Sequence, residues 1–408
     1  MLEGSLSNND LIRPDPGVNS LPGSGHRIAS IDILRGLVMV LMALDHTRVF
    51  FTNAMFDPTD LGQTTAAYFA TRWVTHFCAP VFIFLAGTAV FLRLKAKQDK
   101  ASVAGFLITR GLMLVVLELT VVNIGWIFSI PEFVFLQVIW VLGVSMIVLA
   151  GLIYLPLAAV VLIGLVMVVG HNLLDNVTGE DLGTWSTLWK ILHQSKGFEI
   201  FGIPIWPAYP LVPWIGVMAL GYAFGSLYGL EDSKRKRWLI GLGAVMTLGF
   251  VVLRFGNFYG DPEPWIGGGE GINSWLSFFN TDKYPPSLQF LLMTMGPATL
   301  FLAFAGRISG LIGRVLTVFG RVPLFFYLVH IYFIHLVALF VGVASGFKVK
   351  VFLDGYWHLP RTAGADGYGY DLGWVYLFWI LFVAALYPIC RWYAGLKFSS
   401  GNRLYSYL

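Results

Sequence analysis

Long apolar runs alternate with short polar segments along nearly the whole chain. The hydrocarbon core of a bilayer is about 30 Å thick, so a spanning helix needs about 20 mostly apolar residues. Ten segments reach that length, and glycine or proline lies near many of their ends. They cover residues 31–51, 73–93, 104–127, 131–150, 152–170, 211–229, 238–255, 286–306, 322–346 and 373–393. The pattern predicts an all-α polytopic membrane protein with about ten transmembrane helices.

Composition and charge agree with this fold and give it an orientation. Of the 408 residues, 57% are hydrophobic and 12% are charged, which is about half the charge of an ordinary soluble domain. Cytoplasmic loops retain Lys and Arg, and the ten-span arrangement places seventeen of them on one side and nine on the other. We therefore predict an integral protein of a bacterial inner membrane with both termini cytoplasmic. We expect residues 1–26 to form a disordered cytoplasmic tail, 27–395 the transmembrane domain and 396–408 a second cytoplasmic tail.

Several classes of function find no support in the chain. Basic residues form short separated clusters, which argues against nucleic-acid binding. Cys78 and Cys390 both lie in apolar runs, so a disulfide framework is not expected. No HExxH run or tight ligand spacing indicates a metal, and the glycine run at 267–271 is typical of a flexible turn. The expected partners are membrane lipids and small substrates, and a homodimer is compatible with the sequence.

The first predicted helix carries polar groups at two depths on one face. Asp32, Arg35, Met39, Met42 and His46 are spaced three and four apart, which places them on one helical stripe. At about 1.5 Å per residue, Arg35 and His46 lie roughly 16 Å apart along the axis. A ligand bound at the inner half can therefore meet one bound near the outer half. The alternative for Asp32 and Arg35 is a helix cap and a membrane anchor.

Ionisable groups also gather toward the outer half of the predicted membrane. An ionisable side chain at the bilayer centre costs at least about 2.5 kcal/mol, so each one indicates a function or a structural pairing. Histidine is the usual proton acceptor near neutral pH, and a nearby carboxylate can orient its ring. The candidate catalytic residues are His46, His76, Asp45, His330 and Glu118. Candidate substrate-binding residues at the outer helix ends are Arg48, Arg72, Lys283 and Tyr284.

Four stretches of the chain resemble one family of membrane enzymes. RIASIDILRGLVMVLMALDHTRVFF, followed by APVFIFLAG, is similar to the start of the catalytic membrane domain of heparan-α-glucosaminide N-acetyltransferase and its bacterial relatives. FLQVIWVLGVSMIVLA and GRVPLFFYLVHIYF resemble two later helices of that family. The resemblance implies transfer of an acetyl group from cytosolic acetyl-CoA to an amino sugar on the far side. It also implies that Arg35, Asp32 and Gln137 bind acetyl-CoA.

One departure from the family concerns its proposed catalytic histidine. That histidine lies in the first outer loop, whereas the matching loop here, MFDPTDLGQTTAAYF, contains none. Its role therefore cannot be transferred to this chain. We expect His46 and His76, which flank the loop, to take its place, with His330 as a third candidate.

The leading hypothesis is transmembrane acyl transfer, either directly or through an acyl-histidine. The alternative is a proton-coupled transporter or exporter of a small polar solute, in which Asp45, Glu118 and the histidines form a proton relay. The lack of a visible internal repeat weakens that alternative. A third hypothesis is a non-catalytic membrane subunit whose long outer loops bind a partner protein.

Overall fold

The computed structural model describes residues 28–129, 133–266, 272–354 and 364–399, most of which are helical. The predicted tail at 1–26 and the glycine run at 267–271 lie outside these residues. The α-helices are α1 (Ala29–Phe51), α2 (Ala66–Thr75), α3 (Cys78–Lys97), α4 (Lys100–Leu117), α5 (Asn123–Ile127), α6 (Val138–Leu152), α7 (Leu157–Val169), α8 (Ser186–Leu192), α9 (Leu211–Phe224), α10 (Asp232–Gly256), α11 (Ile272–Phe279), α12 (Leu288–Ala305), α13 (Gly310–Arg321), α14 (Pro323–Ala344), α15 (Val349–Asp354) and α16 (Leu372–Ser399).

Within the described part of the chain, seven helical stretches are long and apolar enough to cross a membrane. They are Ala66–Lys97, Lys100–Ile127, Leu211–Gly229, Asp232–Gly256, Leu288–Ala305, Pro323–Ala344 and Leu372–Lys397. The helices α6 and α7 are apolar but shorter, and α1 carries four charged residues along its length. The prediction of a polytopic membrane protein is confirmed, whereas the number ten and the side of the termini stay predictions.

The structure corrects the predicted boundaries at three places. The fourth span was predicted at 131–150, but α6 begins at Val138 because Val134–Leu136 form a strand, β1. Helix α13 occupies part of a predicted loop. Helix α16 continues to Ser399, into the predicted tail at 396–408, whose last nine residues lie outside the described residues.

A small sheet departs from the all-α prediction. Strand β1 pairs in parallel with β3 (Ile203–Pro207), which pairs antiparallel with β2 (Phe198–Ile200). The register places Phe135 opposite Trp206. Strands of three to five residues are too short to produce a periodic signal in the sequence.

Two of the predicted spans are interrupted beside polar residues. A break at His76 and Phe77 separates α2 from α3. Between α4 and α5, residues Glu118–Val122 form a π-helix, in which hydrogen bonds join residues five apart. Such π turns are frequent at functional sites.

Helix α1 is the centre of the bundle and contacts α2, α3, α12, α13, α14 and α16. Its closest backbone approach is to α13, through Gly36 and Gly320. A Cβ atom on Gly36 would overlap the carbonyl oxygen of Leu316, and one on Gly320 would overlap that of Asp32. Small residues let membrane helices pack at this distance. The crossing holds the C-terminal end of α13 against the first turns of α1.

The close contact of α1 and α13 at Gly36 and Gly320 predicts that two glycine-to-alanine substitutions differ in their effect on stability. Gly36→Ala should lower the free energy of unfolding by about 1–3 kcal/mol, because a methyl group has no room between the two backbones. Gly105→Ala in α4 is the matched control, since no atom lies within 4 Å of its added Cβ. Thermal unfolding of both variants in the same detergent measures the difference. Equal midpoints for the two variants would contradict the tight crossing.

Candidate functional site

Seven of the predicted site residues line a single cavity of about 90 Å³. They come from α1, α2 and the segments that precede α6 and α12. We call this space the histidine cavity. The seven residues are Asp45, His46, Arg48, Arg72, Gln137, Lys283 and Tyr284. A cavity of this volume holds several water molecules or a small polar group.

His46 forms a hydrogen bond with His330 on α14, where Nδ1 of His46 lies 2.7 Å from Nε2 of His330. The other ring nitrogen of His330, Nδ1, lies 2.8 Å from the carbonyl oxygen of Phe326. A carbonyl oxygen only accepts, so Nδ1 of His330 carries the proton, and Nε2 of this ring, when neutral, is an acceptor. His46 must then donate through Nδ1. The lone pair of His46 is left on Nε2.

Aromatic rings hold this histidine pair in place. His46 and His330 stack with their centroids 4.8 Å apart, and His330 stacks on Phe326 at 4.9 Å. Trp126 meets the His46 ring edge to face at 4.8 Å. His330 has no exposed surface, whereas His46 is 8% exposed and lines the cavity. The geometry therefore gives His46 the accessible ring and His330 the supporting position.

Asp45 binds two arginines and neither histidine. It accepts a hydrogen bond of 2.5 Å from Nη2 of Arg48, and Nη1 of Arg72 lies 3.0 and 2.8 Å from its two carboxylate oxygens. Arg48 also donates to the hydroxyl of Thr71 at 3.0 Å. Adjacent residues of a helix point about 100° apart, which is why Asp45 and His46 find separate partners. Asp45 therefore orients two cations along the cavity wall.

Lys283 and Tyr284 lie on the segment between α11 and α12 and close another side of the histidine cavity. The Lys283 Nζ atom lies 5.1 Å from the ring centroid of Tyr284 and 6.0 Å from that of Tyr209. Burial alone would raise the pKa of the Tyr284 hydroxyl. The charges of Lys283 and Arg72 have the opposite and larger effect, so the pKa lies below its ordinary value. Three cationic side chains and two carboxylates, those of Asp45 and Asp57, line the cavity.

Gln137, which was predicted to bind acetyl-CoA, lines the histidine cavity together with His46. The next residue, Val138, lines both cavities. Its side chain is almost fully buried, and Nε2 has no hydrogen-bond partner. An unpartnered buried donor costs about 1–3 kcal/mol, and a bound ligand can supply the missing acceptor.

The structure places His76 and Glu118 outside the lining of the histidine cavity, and their catalytic roles stay predictions. The break between α2 and α3 turns His76 toward α12, where its ring meets Phe290 at 5.3 Å. Glu118 is fully buried and accepts the backbone N–H of Trp140 at 2.9 Å. The first amides of a helix have no partner within the helix and attract a carboxylate. Glu118 therefore caps α6.

A second cavity, of about 380 Å³, lies next to the first and has a different chemistry. We call it the arginine cavity, because its charged lining residues are Arg35, Arg93, Arg110, Arg321 and Lys397. Most of its remaining wall is apolar, and no Asp or Glu is among the described residues that line it. The Arg93 guanidinium lies 3.7 Å from the ring centroid of Phe106. Phe82, Val138 and Tyr327 line both cavities.

Asp32 lines neither cavity, in contrast to its expected role in binding acetyl-CoA. Its Oδ1 atom lies 3.4 Å from Nη1 of Arg35, which also donates to the carbonyl oxygen of Gly320 at 3.3 Å. Asp32 therefore positions Arg35, which does line the arginine cavity.

Four cations of the arginine cavity were not predicted as site residues, because basic residues near helix ends indicate the orientation of a membrane chain and no particular ligand. They are Arg93, Arg110, Arg321 and Lys397. One signal was present, since Arg110 lies inside the predicted span 104–127, where a charge is costly. Tyr209 and Tyr327 carried no signal, because tyrosine is common near membrane interfaces.

Comparison with known proteins identifies the class of this chain. Residues 27–253, more than half of the chain, match the family model described as heparan-alpha-glucosaminide N-acetyltransferase, catalytic. The chain is thus a membrane acetyltransferase by class, and it belongs to this family, as the resemblance predicted. His330, Lys283 and Arg321 lie beyond the matched residues. No curated protein matches the chain. Among the described residues, no group of three or more His, Cys, Asp or Glu is arranged to hold a metal ion.

The ion pairs of Asp45 with Arg48 and Arg72 predict a large loss of stability when the charge of Asp45 is removed. Asp45→Asn would leave Arg48, which is only 2% exposed, and Arg72 without their carboxylate. Breaking a buried ion pair in this way costs about 3–5 kcal/mol, so the thermal midpoint should fall by many degrees. Asp232→Asn is the control, because Asp232 pairs with Arg235 at an exposed helix end. A stable Asp45→Asn variant would show that the arginines do not depend on this partner.

Proposed function

We propose that this protein transfers an acetyl group from cytosolic acetyl-CoA to an amino sugar or related glycan on the outer face of a bacterial inner membrane. The arginine cavity is the donor site and the histidine cavity is the acceptor site. The observation that carries the proposal is that Phe82, Val138 and Tyr327 form a wall common to both cavities. A donor in the arginine cavity and an acceptor in the histidine cavity would meet at these three residues. Neither substrate would then have to cross the membrane.

The chemistry of the arginine cavity supports acetyl-CoA as donor. Coenzyme A combines several phosphate charges with a long, weakly polar pantetheine arm. Among the described residues the cavity is lined by five cations and no acid, and Arg321 and Lys397 lie at or near the last residues of α13 and α16. Guanidinium groups recognise phosphate by paired hydrogen bonds. The apolar remainder of the wall suits the pantetheine arm and directs the thioester toward the shared wall.

The hydrogen-bonded histidine pair supports His46 as general base. Its Nε2 lone pair accepts the proton of the acceptor amine or hydroxyl as that group attacks the thioester carbonyl carbon. The imidazolium that forms donates through Nδ1 to His330, whose own proton is held by the carbonyl of Phe326. His330 thus fixes the tautomer, as the carboxylate does in a hydrolase triad. His46 then returns the proton to the departing thiolate of coenzyme A.

Direct transfer is the route that we propose, because the cavities adjoin. It requires the attacking atom to lie within about 3.5 Å of the carbonyl carbon. The cationic rim of Arg48, Arg72 and Lys283 is suited to the hydroxyl and acidic groups of a glycan. It also favours the uncharged form of an acceptor amine, which is the nucleophilic form.

The test of this function is acetyl transfer by the purified protein in lipid nanodiscs. Radiolabelled acetyl-CoA is supplied with a panel of amino sugars, and the wild type should form labelled N-acetyl sugar. His46→Ala should lower kcat/KM by about 10² or more. In the wild type kcat/KM should rise with pH and then level off, because only the unprotonated base accepts a proton. His193→Gln is the control, since His193 lines neither cavity.

Three results would contradict the proposal. Label transfer absent from the wild type with every acceptor would overturn the function. Solute flux driven by a pH gradient, without transfer, would favour a transporter instead. Ping-pong kinetics with label bound to the protein would replace direct transfer by an acyl-histidine.

The donor site predicts that its arginines recognise the nucleotide end of acetyl-CoA. Arg110→Gln and Arg321→Gln should each raise the KM for acetyl-CoA about tenfold, because a hydrogen bond to a charged group is worth about 1.5–3 kcal/mol. S-acetylpantetheine lacks the nucleotide, so its weaker turnover should be unchanged by the same substitutions. An equal loss with both donors would place these arginines elsewhere in the reaction.

A further inference from the structure

We propose that the side-chain amide of Gln137 donates a hydrogen bond to the thioester carbonyl oxygen and stabilises the negative charge that develops there. The inference rests on the proposed acetyl-transfer function and adds a catalytic residue to it. Acyl transfer needs a donor of this kind, because the carbonyl oxygen becomes an oxyanion when the acceptor attacks. His46 is the general base in the proposed reaction. The hydrogen-bond donor to the oxyanion must be another residue of the same cavity.

Gln137 lies where the two cavities meet. It lines the histidine cavity together with His46, and the next residue, Val138, lines both cavities. Only 6% of the residue is exposed, and Nε2 has no hydrogen-bond partner in the structure. Buried polar atoms without a partner are rare and call for an explanation. A carbonyl oxygen delivered through the shared wall is the acceptor that this donor lacks.

The side chain of Gln137 does not cap the helix that follows it. Gln137 precedes the first residue of α6, the position at which a side chain usually binds the free amides of the helix, but it makes no such bond. Glu118, which lies on a different helix, caps α6 instead by accepting the N–H of Trp140. The amide of Gln137 is therefore available to a substrate.

The backbone of this segment is also held firmly. The Asn123 side chain accepts the N–H of Phe135 at 3.0 Å and donates to the carbonyl oxygen of the same residue at 3.2 Å. Strand β1, which ends one residue before Gln137, is paired with β3. A donor is most effective when it is fixed before the reaction, because no reorganisation is then required. Glu118 and Asn123 are positioning residues for Gln137.

The proposed step conserves atoms and charge. The acceptor nitrogen forms a bond to the carbonyl carbon, the C=O electron pair moves to oxygen, and Nε2–H of Gln137 donates to that oxygen. His46 removes the proton from nitrogen. The oxyanion then re-forms the carbonyl, the C–S bond breaks, and the sulfur of coenzyme A leaves with the electron pair and takes the proton from His46. The products are the N-acetyl sugar and free coenzyme A.

Kinetics of Gln137→Ala and Gln137→Met test the proposal. Methionine has a similar volume and no donor, so it separates hydrogen bonding from packing. Both variants should lower kcat by about 10²–10³, the usual effect of removing one oxyanion donor. The KM for acetyl-CoA should stay within twofold, because the donor acts mainly after attack begins. Gln98→Ala is the matched control, since Gln98 is exposed and lines neither cavity.

A spectroscopic measurement adds a readout that a purely structural role would not change. S-acetonyl-CoA carries an unreactive ketone in place of the thioester carbonyl, and a ¹³C label there isolates its infrared band. In the wild type, the hydrogen bond should shift this band to lower frequency relative to Gln137→Met. The Gln98→Ala variant should match the wild type.

The possible results separate this inference from the proposed function. An active wild type with undiminished kcat in both Gln137 variants would overturn the inference and leave the function intact. An unchanged infrared band in Gln137→Met would also overturn it. A wild type that transfers no label would overturn both. Loss of kcat with retained KM and a shifted band supports the assignment.

Discussion

The structure depends on one constraint, which is that a charged or hydrogen-bonding group inside a membrane must find its partner within the protein. Helix α1 carries its polar groups into the bundle and meets a partner on a different element at each depth. Arg35 binds the backbone of α13, Asp45 binds an arginine of α2, and His46 binds a histidine of α14. These three contacts fix the neighbours of α1. The same contacts produce the site, because each one also presents a side chain to a cavity.

The two cavities differ in chemistry because the elements that meet at them differ. The arginine cavity gathers cations from α1, α3, α4, α13 and α16, largely near helix ends. The histidine cavity gathers a histidine, an amide and a cluster of opposite charges from α1, α2 and connecting segments. The residues common to the two walls are Phe82, Val138 and Tyr327.

Much of the site was predictable, and the failures have physical causes. The spacing of polar residues along α1 was sufficient to predict that Arg35 and His46 face the same way at different depths. Asp45 and His46 are adjacent on one helix, and the angle of about 100° between them accounts for their separate partners. The positions of His76, Glu118 and Gln137 relative to the histidine cavity could not be predicted, because they depend on a helix break, a π turn and a three-residue strand, none of which has a periodic signal. The arginine cavity required knowledge of which helices pack together.

The π-helix between α4 and α5 has a further consequence. Residues five apart in an α-helix differ by about 140° around the axis, so their side chains leave on different faces. In the π turn the N–H of Asn123 reaches the carbonyl oxygen of Glu118, five residues earlier. Both side chains can then hold one neighbouring segment, Glu118 at Trp140 and Asn123 at Phe135. Deletion of one residue from this turn would restore the α-helical spacing and rotate one of the two contacts away.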